Sequence, residues 1–143
     1  MRSINGNGRR RNPLPDLELF DGCSPRELRA LTRMCTSVGV RAGRVLCRQG
    51  EIAEECFVIV DGHADVLIDG TPVASVGAGE IVGELALLSH NAGRTATVVA
   101  TTDMQLLVFN RREFAAFMSG APSVRQRMLR VATRRLLENA ERR

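Results

Sequence analysis

The chain of 143 residues contains no tryptophan, no tyrosine and no lysine, and its only histidines are His63 and His90. Each shortage removes a class of chemistry. With five phenylalanines as its whole aromatic content, the chain lacks the stacking platforms on which single-stranded bases rest. It also lacks the interleaved basic and aromatic residues of many nucleic-acid recognition elements. Two histidines far apart, with no HxH pair, do not supply the clustered imidazoles of a metal-dependent jelly roll such as a cupin. Their neighbours, Asp61-Gly62 and Ser89 with Asn91, read as exposed turns. Cys23, Cys35, Cys47 and Cys56 form no CxxC pair, so they read as reduced, mostly buried thiols, not as metal ligands or a secreted framework. No run approaches the roughly 20 apolar residues that span a bilayer. The basic N-terminus "MRSINGNGRRRNPLP" has no apolar stretch behind it and is not a secretory signal; the expected location is cytoplasmic. No Ser-His-Asp or Cys-His nucleophile pattern is present, and no paired acids flank a cleft motif. The expectation is a binder rather than an enzyme, with no cofactor and no metal.

What is present fits one ordinary globular domain: 44% hydrophobic and 25% charged residues in a chain long enough to bury a core. Every one of the 20 basic residues is arginine. Residues 1–12 carry four arginines and no acid, and read as a disordered basic tail ahead of a single domain, 13–143. Residues 122–143 carry seven arginines against Glu138 and Glu141, while 13–121 carry nine against fourteen acids. The body is acidic and the ends are basic. The basic final segment reads as the solvated face of an amphipathic helix, so nucleic acid is an unlooked-for partner and a membrane is none.

Ser24 as N-cap with Pro25 behind it starts a helix from about 25 to 36. From Val38 the pattern turns to short apolar runs broken by Asp61-Gly62, Asp69-Gly70 and Gly77-Ala78-Gly79. The Asp-Gly pairs read as type I′ hairpin turns. "RTATVVATT" and "MQLLVFN" read as a further strand pair joined through Thr102-Asp103. About eight such strands predict an antiparallel sandwich or barrel. Asn110 caps a helix ending near Gly120, and Pro122 opens a long one to about 140.

One segment carries chemistry: "GELALLSHNAGRTAT", Gly83 to Thr97. Gly83 lets a ligand approach the backbone because no Cβ intervenes. "ELALL" is about one helical turn, whose unpaired N–H groups converge as an anion site. Arg94 adds a permanently charged fork that fits a phosphate, with the Thr95 hydroxyl beside it. Glu84 only accepts, which suits a ligand hydroxyl. Together these describe a nucleotide; the bland alternative is a surface ion pair between Glu84 and Arg94 across a loop.

The segment resembles the phosphate-binding cassette of the cyclic nucleotide-binding domain family, written G-E-[LI]-A-L-L, a short loop, then R-[ST]-A-[ST]. "LFDGCSPRELRALTRMC" is similar to the family's opening helix, "VRAGRVLCRQGEIAEECFVIVDGHADV" to its first strands, and "LLVFNRREFAAFM" to its last strand and hinge helix. The likeness covers about residues 17–137. It implies an eight-stranded antiparallel jelly roll, mainly β, flanked by an N-terminal helix and C-terminal hinge and lid helices. It implies Glu84 on the ribose 2′-hydroxyl and Arg94 on the exocyclic phosphate oxygen. Main-chain N–H groups at Leu85 and Ala86 would cap the phosphate, with Gly83, Thr95 and Ala96 completing the cassette. Phe114 and Phe117 would sit on the hinge, and Arg134, Arg135 or Leu136 on the lid would meet the purine. Glu84 and Arg94 are ten residues apart, as in bacterial catabolite-activator-type regulators. Gly93 stands where many members have proline, which predicts a softer loop. The implied function is a stand-alone regulatory module that binds cAMP, with cGMP as competitor because a threonine follows the arginine. Its output would pass through the C-terminal helix to a protein partner or a homodimer. The rivals are a sensor piece of a larger transcription regulator or channel, and a partner-binding jelly roll with no nucleotide.

Overall fold

The computed structural model describes residues 20–83, 93–120 and 122–141, without the side chains at 131, 132, 135–137 and 139–141. The basic tail, Glu84, Leu85, Ala86 and His90 lie outside the described residues.

Helix α1, Pro25–Met34, starts where the sequence predicts. Ser24 Oγ accepts from Glu27 N at 3.1 Å and Glu27 Oε1 accepts from Ser24 N at 2.8 Å, a reciprocal cap that satisfies two otherwise orphaned donors. The helix stops short of 36, because Cys35 is already extended and leads into β1 (Thr36–Val40). Strands β2 (Val45–Cys47), β3 (Glu55–Asp61), β4 (Ala64–Ile68), β5 (Thr71–Val76), β6 (Ile81–Val82), β7 (Thr97–Ala100) and β8 (Met104–Asn110) follow. Helices α2 (Arg111–Gly120) and α3 (Pro122–Glu141) end the described chain. Asn110 caps α2 as expected: its Oδ1 accepts from Glu113 N, and Glu113 Oε1 accepts from Asn110 N, both at 2.8 Å. Among the described residues no helix is long and apolar enough to cross a membrane.

The eight strands form two antiparallel four-stranded sheets, β1-β8-β3-β6 and β2-β7-β4-β5, and no closed barrel. This is the mainly β jelly roll with flanking helices that the sequence implied. Two local expectations are corrected. Asp69-Gly70 does close the β4–β5 hairpin, with φ of 52° and 80°, the geometry of a type I′ turn. Asp61-Gly62 does not: β3 and β4 belong to different sheets, and the chain crosses between them there. The same holds for Thr102-Asp103, since β7 and β8 are in opposite sheets. The two corners lock together instead. Thr101 N donates to His63 O at 2.9 Å and His63 N donates to Thr102 Oγ1 at 3.0 Å. A Cβ on Gly62 would stand 2.5 Å from Asp103 O, so the glycine answers to a neighbouring backbone. His63 is exposed at this corner, as its surroundings suggested.

Strand alternation divides the core in two. Phe57 and Ile59 of β3 and Leu106 and Val108 of β8 face the second sheet, meeting Cys47, Ala64, Val98 and Ala100. Cys56, Val58, Leu107 and Phe109, at the intervening positions, face the helices and meet Leu31, Phe114, Phe117, Val124 and Met128. Both faces being covered explains why β3 and β8 read as continuous apolar runs. Phe117 is the hub of the helical layer, fully buried, with ring centroids 5.6 Å from Phe20, 4.9 Å from Phe109 and 6.3 Å from Phe114. The four cysteines are thiols outside any disulfide; Cys47 and Cys56 are buried and Cys23 and Cys35 half-buried.

Burial, helped by the Glu113 carboxylate, pushes the Cys35 thiol from 9.0 up to about 11. The folded chain keeps a proton that the unfolded chain releases, so this contribution is whole below pH 9 and is lost as pH climbs towards 11. Urea unfolding at pH 8 and about pH 10.5 tests it: Cys35→Ala loses less stability across that step than wild type, and equal losses would contradict the assignment. Phe117→Ala at neutral pH costs about 3–5 kcal/mol by cavity formation; a loss below about 1 kcal/mol in the same assay would mean the ring cluster holds little together.

Candidate functional site

Arg94 precedes β7, beside an isolated bridge between Ile52 and Gly93. Its main chain is clamped to the turn before β3: Arg94 N donates to Glu51 O at 2.8 Å, and Gly50 N donates to Arg94 O at 2.9 Å. A Cβ on Gly93 would fall 2.8 Å from Gly50 O. The glycine is therefore required by a close backbone approach. The loop for which the sequence predicts softness lies outside the described residues up to Gly93.

The Arg94 side chain runs inward and is only 9% exposed. Its Nη1 donates to Gly83 O at 3.2 Å and its Nη2 to Glu55 O at 2.7 Å. Both acceptors are main-chain carbonyls, which orient the guanidinium without neutralising its charge. A guanidinium has five N–H donors, and among the described residues these two contacts leave three of them for an anion. A fixed cation with spare donors in a largely water-excluded place attracts an anionic oxygen far more strongly than a freely moving surface arginine does.

Gly83 directly follows β6 with φ of +88°, and a Cβ there would stand 2.5 Å from Arg94 Nη1. The space that the sequence reading gave to a ligand is filled by the arginine that would meet that ligand. Thr95 is exposed and Ala96 half-buried immediately beyond Arg94. The structure thus brings Gly83, Arg94, Thr95 and Ala96 to one place, while Glu84, Leu85 and Ala86 lie outside the described residues. Phe114 and Phe117 are buried in the helical layer, not at the guanidinium. Arg134 is exposed on α3, and the side chains of Arg135 and Leu136 lie outside the description. Sequence reading missed the Glu55 carbonyl and the Gly50–Glu51 clamp. Main-chain groups carry no residue signature, so only the register of β3 against β6 could reveal them.

A sequence profile described as the cyclic nucleotide-binding domain matches residues 37–120. A cyclic nucleotide-gated potassium channel of Rhizobium etli is 38% identical over 96 residues, which is 67% of this chain and 26% of the channel. The catabolite activator protein of Thermus thermophilus superposes with a TM-score of 0.75 at 26% identity, over 87% of this chain and 60% of that one. The regulatory domain of Toxoplasma gondii PKA, co-crystallised with cAMP, gives a TM-score of 0.63 at 31% identity, over 73% and 41% of the two chains. The chain therefore spans about a quarter of the channel's length and under two thirds of either solved neighbour.

Gly79 offers a control for Gly83. Its φ is +89° and nothing lies within 4 Å of a Cβ placed there, so an alanine meets only the left-handed backbone cost of about 1–2 kcal/mol. Gly83→Ala carries that cost and also displaces the guanidinium, adding about 1.5–3 kcal/mol for disturbed charge-assisted hydrogen bonds. Equal denaturant midpoints for the two variants would show that Arg94 is not seated against Gly83.

Proposed function

The chain belongs to the cyclic nucleotide-binding domain family, a domain regulatory in kinases and channels, and from that premise we propose that it is a regulatory module switched by cAMP. The observation that carries this reading is Arg94: a buried, permanently charged fork, held by the Gly83 and Glu55 carbonyls and ending a family cassette. In the proposal its free N–H groups pair with the exocyclic oxygens of the cyclic phosphate, and Thr95 donates its hydroxyl to the same group. Leu85 and Ala86 supply main-chain donors, and Glu84 accepts from the ribose 2′-hydroxyl. The Glu84 to Arg94 spacing resembles that of catabolite-activator-type members, which supports cAMP over cGMP, and the solved Toxoplasma gondii neighbour was crystallised with cAMP.

The proposed output is mechanical and not catalytic. Phosphate capture draws the 84–88 segment towards Arg94 and biases the packing of α2, whose Phe117 already stacks on Phe109 of β8. Helix α3 then closes over the base, through one of Arg134, Arg135 or Leu136. The requirement is only that the nucleotide bind the closed arrangement better than the open one. The presented surface then differs between states for a protein partner or a second copy of the chain.

Hydrogen bonds to charged groups contribute about 1.5–3 kcal/mol each. Arg94→Ala therefore weakens cAMP binding by one to two orders of magnitude in a calorimetric titration. Arg94→Lys recovers little of it, because a point charge cannot hold two carbonyls and a phosphate in one plane. Affinity matching wild type in Arg94→Ala would remove the assignment.

A further inference from the structure

Folding sorts the charge by layer. The segments 20–34 and 111–141, which form the helical layer, hold ten arginines against five acids. The described strands and turns between them hold four arginines against eight acids. The linear sequence shows basic ends, but the arginines of α1 join those of α3 only in the fold. Both helices pack into the same core against β3 and β8, and a Cβ on Gly22, just before α1, would stand 3.1 Å from the Arg127 side chain of α3. Arg26, Arg29 and Arg33 form one exposed stripe on α1, and Arg125, Arg130 and Arg134 are exposed on α3.

We propose that this helical layer binds the phosphate backbone of duplex nucleic acid without reading its sequence. Three observations choose this partner among polyanions. All five phenylalanines are buried, so the face has no ring on which unpaired bases could stack. The apolar residues Leu31, Val124 and Met128 of α1 and α3 are already spent on the protein core, and among the described side chains of the helices Leu129 is the one large apolar group exposed. Among the described side chains that leaves little to insert into a membrane and few anchors for an acidic protein. The α1 stripe also fits in length: at about 1.5 Å per residue Arg26 to Arg33 spans about 10 Å, along a backbone that offers a phosphate every 3.4 Å or so per strand. A contact of this kind needs dense fixed charge and works by counterion release, which is what arginines without aromatics supply. The inference does not depend on nucleotide binding at Arg94.

The test uses the full chain and a labelled mixed-sequence duplex of about 30 base pairs, with fluorescence anisotropy between about 50 and 200 mM salt. Arg26→Gln, Arg29→Gln and Arg33→Gln together, or Arg125→Gln, Arg130→Gln and Arg134→Gln together, each weaken binding at least tenfold and flatten the log–log salt slope by about 2–3. Replacing the exposed Arg41 and Arg48 of the acidic body changes affinity less than twofold, and a single strand of equal length binds no better than the duplex. The two triples lie on different helices, so thermal melts leave at least one interpretable. The proposal is overturned by any of four results. These are absence of duplex binding at low salt, wild-type affinity in both triples, loss of binding only when Arg2, Arg9, Arg10 and Arg11 are replaced, and stronger binding to anionic phosphatidylserine vesicles than to duplex.

Discussion

The arrangement depends on a guanidinium held by two carbonyls. Arg94 reaches the main chain of Gly83 at one edge strand and of Glu55 at its neighbour, so a single side chain ties the β6 edge, the β3 strand and the start of β7 together. Burying a cation is costly unless its donors are satisfied, and two neutral carbonyls satisfy part of that demand while leaving the charge in place. The result is a preorganised positive site: its ordering cost is met during folding, and a ligand anion does not have to meet it again.

The rest of the fold serves that placement. Crossing corners at 61–63 and 101–103 place β3 and β4 in opposite sheets, and the antiparallel pairing of β3 with β6, Phe57 opposite Val82, brings the Glu55 and Gly83 carbonyls to one end of that pair. The turn at Gly50–Glu51 then holds the Arg94 backbone from the other side. Behind β3 and β8, the phenylalanine cluster connects the strands to α2 and, through Val124 and Met128, to α3. In the proposed switch a movement at the cassette would pass through this packing, and packed cores of this kind change between discrete arrangements more readily than they deform smoothly.

Much of this was legible in the sequence, for identifiable reasons. Ser24-Pro25 and Asn110 announce helix starts because capping needs side-chain oxygens at fixed offsets, and both caps are present as read. Asp69-Gly70 announces a hairpin because the turn needs positive φ twice. Asp61-Gly62 carries the same letters and means something else, since only the sheet assignment shows that its glycine yields to Asp103 O. Periodicity could not divide β3 and β8, whose faces are both buried. The role of Arg94 as a charged fork was visible from its chemistry. Its seat was not, because the groups that hold it are peptide carbonyls and every residue has one. Gly93 has a second meaning that its letter does not show, since a Cβ there would fall 2.8 Å from Gly50 O.

The most direct test of the central claim is an arginine side-chain NMR titration of the whole chain with cAMP, the Arg94 Nε–H resonance being identified by its loss in Arg94→Lys. A buried guanidinium that receives the cyclic phosphate shows that resonance shifting with saturation as cAMP is added. Binding of cAMP that leaves it unmoved, or no binding up to millimolar ligand, would contradict the account.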